Sequence, residues 1–147
     1  MDNTLLSDFL NFDIYQLQNN ADNLEIIHDN NARHTLILMN SKDKEQLDFL
    51  GKILKAVQYD ITQDVLLISL PQETQIDLTK MMRDVDISSI LLFGIPLSKV
   101  GIHYNLPNYR PITINSTTYL LAEQLGQISK NQMKKKELWT ALQKVFL

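Results

Sequence analysis

The chain has no cysteine, only four glycines and four prolines in 147 residues, and no apolar run as long as a membrane span. Without cysteine there can be no disulfide, no thiol nucleophile and no cysteine-ligated zinc or iron–sulfur centre, which fits a reducing compartment. The scarcity of glycine and proline argues against a fibrous or low-complexity chain. A spanning helix needs about 20 apolar residues, and the start of the chain lacks the basic and apolar regions of a secretory signal. No membrane association and a cytoplasmic location are therefore expected. Basic residues number 14 against 17 acidic ones, a formal charge of −3. With no broad basic field to attract phosphates, direct nucleic-acid binding is expected to be weak or absent outside a local patch.

What remains is an ordinary globular composition, 44% hydrophobic and 21% charged. Its length suits one domain that can bury a sizeable core. Residues 1–17 open with "LLSDFLNFDIYQL", and residues 18–34, "QNNADNLEIIHDNNARHT" up to its last residue, read as a polar linker with a short extended "LEII" inside it. Asn and Asp favour local side-chain to backbone bonds over regular structure. From residue 35 to 147 a single α/β domain is predicted. "LILM", "VLLIS" and "SILLFG" are continuous apolar runs of strand length, and "ITI" is a candidate fourth strand. Between the first two runs Leu47, Leu50, Leu54 and Val57 recur at helical spacing behind a candidate N-cap, Ser41. A shorter helix is expected over residues 77–86. Asn115 or Ser116 could cap another through "TTYLLAEQL" to Gly126, and "KNQMKKKELWTALQKVFL" reads as the last. Strands that are apolar on both faces and separated by helices imply a buried parallel sheet. The expected fold is three-layer α/β/α, with a mainly parallel central sheet of about four strands.

Such a sheet would carry chemistry in the loops at the carboxyl ends of its strands. Those loops hold little. "NSKDKEQ" has Asp43 and Glu45 but no glycines for phosphate approach, and Asp43 reads as a helix N-terminal acid. A lone Gly94 falls short of a phosphate-binding fingerprint. His28, His34 and His103 show no metal-ligand spacing, so no metal or cofactor is expected. "KKK", Lys134 to Lys136, reads as a solvated helix face, and Trp139 as a core anchor. The long segment from Ile95 to Pro111 has no assigned role. The opening stretch is then the main unexplained feature. Phe9, Leu10, Phe12, Ile14, Tyr15 and Leu17 could cover the chain's own sheet, or they could anchor on another protein.

Taken together, "LNFDIYQL", the strand–helix–strand block from "LILMNSKDKEQLDFL" to "DVLLISL", "ILLFG" and the closing "KKKELWTALQKVF" resemble the psi subunit family of bacterial DNA polymerase III holoenzyme. The resemblance spans most of the chain. It implies a fold related to the uracil-DNA glycosylases without their catalytic residues, and no enzymatic activity. It also implies an N-terminal segment that docks on the clamp loader, and a globular part that holds a chi-like subunit and so reaches single-stranded-DNA-binding protein indirectly. By this likeness Leu10, Phe12, Tyr15 and Leu17 are the collar contacts, with Tyr15 where familiar members carry tryptophan. The chain departs from the family in its long "VGIHYNLPNYRPITINSTTYLL" stretch. Two alternatives stand beside the adaptor. One is a glycosylase-like or nucleoside-processing enzyme using Asp43 or His103 to activate water. The other is a self-associating domain that exchanges its N-terminal segment.

Overall fold

The computed structural model describes residues 25–41, 43–70 and 75–147. They form a mixed α/β fold around one sheet of six strands. In chain order these are β1 (Glu25–His28), β2 (Thr35–Met39), β3 (Val65–Ser69), β4 (Ser89–Phe93), β5 (Ile112–Ile114) and β6 (Thr117–Ala122). Four helices accompany them: α1 (Lys44–Ala56), α2 (Leu78–Asp84), α3 (Leu125–Ser129) and α4 (Gln132–Phe146), with a 3₁₀ turn at Leu97–Val100. Among the described residues no helix is long and apolar enough to cross a membrane.

The spatial order is β1-β3-β2-β4-β6-β5. The inner four strands are parallel, and the two edges, β1 on β3 and β5 on β6, are antiparallel. Every residue of β2 and β3 is buried, which is why both read as unbroken apolar runs rather than alternating ones. The parallel registers are in phase: Ile37 stands beside Leu67 and Leu91, and Leu91 beside Leu120. Alternate residues therefore line two separate cores. On one face Ile37, Leu67, Leu91, Phe93 and Leu120 meet Leu50 and Leu54 of α1, Leu125 and Ile128 of α3, and Leu138 and Leu142 of α4. On the other, Leu36, Leu38, Leu66, Ile68, Ile90 and Leu92 meet Ile76, Leu78, Val85, Ile95 and Val100. Trp139 packs at the margin of the first core, as expected of an anchor.

Several sequence expectations are corrected. The sheet has six strands rather than about four. "TTYLLA", expected to be helical, is β6, at the end of the parallel array. Asn115 and Ser116 cap nothing: both lie at left-handed φ (52° and 68°) between the paired residues Ile114 and Thr117. That is the two-residue hairpin turn whose twist matches antiparallel strands. Gly126 lies inside α3 rather than ending a helix. The cap of α1 is Asp43, which accepts from the Glu45 amide, while the Ser41 hydroxyl accepts from the Asp43 amide.

The distal half of the stretch read as linker also belongs to the sheet. "EIIH" is β1, and the Asn-rich turn after it is tied down on both sides. The Asn31 carboxamide oxygen accepts from the buried Thr35 amide at 2.8 Å, and the Ala32 and Arg33 amides donate to the carbonyls of Gln63 and Asp64. Here asparagine builds a hydrogen-bonded entry to β2 rather than loose chain.

The hairpin turn is a test of this topology. Ser116→Val places a β-branched residue at left-handed φ and should cost about 1–2 kcal/mol in urea unfolding, whereas Ser116→Gly should cost nothing. Equal stability of the two variants would contradict the turn.

Candidate functional site

The inner strands all end on one side of the sheet. From β2 the chain crosses to β3 on one flank and then to β4 on the other, so the strand order reverses between β2 and β4. Open α/β sheets bind ligands in the crevice at such a point. Here it is a hollow of about 370 Å³ lined by Asn40, Leu70, Gly94, Ile95, Pro96 and Lys99. The Asn40 amide donates to the Gly94 carbonyl at 3.2 Å. Gly94 lies at φ 68°, and a Cβ there would stand 2.9 Å from Asn40 Nδ2 and 3.1 Å from Gln124 Cα. Glycine at this position is thus required by close backbone approach as well as by the turn. The buried oxygens Asn40 Oδ1 and Gln46 Oε1 have no hydrogen-bond partner among the described residues. Among the described residues the lining offers an amide and an ammonium but no carboxylate, imidazole or hydroxyl.

A second polar group sits at the end of β6. Glu123 accepts from the Tyr109 hydroxyl at 3.0 Å and from the Lys134 ammonium at 2.7 Å. It fastens the 95–111 segment to α4. Tyr109 is itself held at φ 62°, with its amide donating to the Leu121 carbonyl at 2.8 Å. The Lys134 hydrogen bond, aided by that of Tyr109, keeps the Glu123 carboxyl below its ordinary value against the opposing effect of burial. Burial, and then the bond to Glu123, pushes the Tyr109 phenol far above its own. Lys134, read as part of a solvated face, is in fact half-buried in this pair, while Lys136 is exposed.

The third feature is a groove of about 690 Å³ between α1 and the turn that leads into β3. Leu47, Gly51 and Lys55 form one row along α1, and Tyr59 and Ile61 face them. The far wall is rigid. The Asp60 amide donates to Asp64 Oδ2 at 2.7 Å, and the Thr62 amide and hydroxyl both donate to Asp60. Tyr59 stacks on Phe146 with ring centres 4.2 Å apart, under the Arg33 guanidinium.

The residues singled out from sequence are dispersed. Phe9, Leu10, Phe12, Ile14, Tyr15 and Leu17 lie outside the described residues. Asp43 is an exposed helix cap, His103 is exposed in the 101–107 loop, and neither lines the crevice. Among the described residues no group of His, Asp and Glu could hold a metal ion. Sequence reading missed Asn40, Tyr109 and Glu123. Asn40 had a usable signal, as the first polar residue after an apolar strand at the carboxyl edge. Glu123 was hidden by the helical reading of "TTYLLAEQL". No protein-family model matches the chain, and comparison with curated proteins finds no relative.

The Glu123 cluster predicts a pH dependence. A carboxyl whose value is lowered by folding stabilises the protein above its unfolded value, and that contribution is lost as the pH falls through the lowered one. Both partners are about one-third exposed, so the pair is worth at most about 1 kcal/mol. Denaturation profiles between about pH 5 and about pH 3 should fall more steeply for the native chain than for Glu123→Gln. Parallel profiles would show that the pair contributes nothing.

Proposed function

We propose that this chain is a non-catalytic adaptor subunit of a replicative clamp-loader assembly, acting in the cytoplasm. In this reading the N-terminal apolar segment grips the clamp loader, and the globular domain carries a second, chi-like partner. The observation that carries it is the ordered set of motifs shared with the psi family, from "LNFDIYQL" to "KKKELWTALQKVF". The domain supports it physically. Both faces of the sheet are covered by elements within residues 25–147, in keeping with the three-layer arrangement expected of that family.

Of the two residues that the glycosylase-like alternative would use, Asp43 caps α1 and His103 is exposed in the 101–107 loop, and neither lines the crevice. Contacts with nucleic acid would then be indirect, through the second partner.

Anchoring side chains of this kind typically carry at least about 2 kcal/mol of binding. Tyr15→Ala should accordingly weaken capture of a purified clamp loader about 30-fold and leave the thermal unfolding of the domain unchanged. Undiminished capture by Tyr15→Ala counts against the proposal.

A further inference from the structure

We propose that the amino-terminal end of α4 docks an acidic segment of another protein, one that also presents an apolar side chain. Lys130, Lys135 and Lys136 supply the charge, and Met133 supplies the apolar contact. The inference does not depend on the adaptor reading.

The distribution of charge is the first argument. Residues 1–109 carry eight basic and fifteen acidic side chains, whereas residues 110–147 carry six basic and only two acidic ones. A chain of formal charge −3 thus ends in a stretch of +4. Asymmetry of this kind points to a partner of opposite sign. Four of the six basic residues, Lys130 and Lys134 to Lys136, crowd the start of α4. Lys134 is neutralised by Glu123 at 2.7 Å. Lys130 and Lys136 are exposed, Lys135 is half-buried, and none of these three has an ion-pair partner among the described residues. With Glu123 engaged, Glu137 is the acid left to offset them.

The second argument is that folding alone gives no reason for this placement. The amino end of a helix carries partial positive charge and favours acids, yet α4 has no acid in its first turn and three consecutive lysines among its first five residues. Only Lys134 is compensated, through Glu123. The helix end is otherwise well made, because the Asn131 side chain accepts from the amides of Met133 and Lys134. Those amides are taken, so a partner meets side chains rather than backbone. A local preference overridden in an otherwise consistent element is expected where function intervenes.

Met133 is the third argument, and it separates a protein partner from a nucleic acid. Its side chain is 74% exposed, more than Tyr104 or Leu147, and it neighbours Lys136 on the helix surface because the two are three residues apart. Methionine is an adaptable contact suited to protein surfaces. Within residues 124–147 no aromatic ring is exposed: Trp139 packs at the margin of the first core, and Phe146 stacks on Tyr59. Bases would find no stacking platform there, and the acidic remainder of the chain would repel a long polyanion. A short acidic segment with an apolar residue complements both the lysines and the methionine.

Titration of the isotope-labelled full chain with a peptide of six glutamates and two leucines, followed by amide NMR, tests the proposal. Shift changes should centre on Met133, Lys135 and Lys136. Lys135→Gln with Lys136→Gln should weaken binding about tenfold and raise the unfolding midpoint by about 2–4 °C. Lys130→Gln with Lys136→Gln, both exposed, should weaken it several-fold even if the first variant does not fold. Met133→Ser should weaken this peptide about threefold and leave an all-glutamate peptide unaffected. Shifts on another face, no shifts at millimolar peptide, or undiminished affinity in the lysine variants overturns the proposal. So does a lower unfolding midpoint for Lys135→Gln with Lys136→Gln, which would make the lysines part of the fold. Tighter binding of an oligothymidylate of equal charge at the same amides overturns it in favour of nucleic acid.

Discussion

The structure depends on β2. It is the one strand flanked on both sides by parallel neighbours laid down after it, and all five of its residues are buried. Its two faces feed two different cores, so every other element is placed by the need to cover one of them. Replacing a single large side chain in such a core by alanine typically costs about 2–5 kcal/mol. Total stabilities of single domains are about 5–15 kcal/mol. Tolerance for change in the central strands is therefore small. The entry to β2 is correspondingly well fixed: Asn31 and the Arg33 carbonyl satisfy the polar groups of buried Thr35.

With the centre so constrained, variety is confined to the carboxyl edge and the flanks. At that edge the crevice between β2 and β4 is narrowed by the bond from Asn40 to Gly94, and the charges beside it serve to hold the 95–111 segment on α4. The groove beside α1 differs in kind, with half-buried Leu47 and Ile61 along it and both acidic and basic side chains, Asp48, Asp60 and Asp64 with Lys52 and Lys55, in its lining.

Much of the fold was legible from residue patterns. β2, β3 and β4 announce themselves as apolar runs of strand length, and α1 and α4 by their leucine spacing. β6 was not, because "TTYLLA" serves equally as a helical or a strand pattern until Asn115 and Ser116 are known to turn the chain. Local propensity is silent on that choice, and pairing with β4 decides it. β1 is half-legible: "LEII" reads as a short extended stretch, but its pairing with β3 is a long-range event that the surrounding asparagines conceal. The sites were harder still. Glu123, Tyr109 and Lys134 lie apart in sequence and meet only when β6 and α4 pack, and the hollow at Gly51 exists only against the 57–64 turn.

In the proposed function, partner capture runs through the amino-terminal apolar segment while the sheet stays unchanged. Hydrogen-exchange mass spectrometry of the full chain, alone and with a purified clamp loader, reads this directly. Slower exchange confined to peptides covering residues 5–17, with β2, β3 and β4 unaltered, is the predicted result. Protection centred on the crevice at Asn40 and Gly94, or no change in residues 5–17, would contradict it.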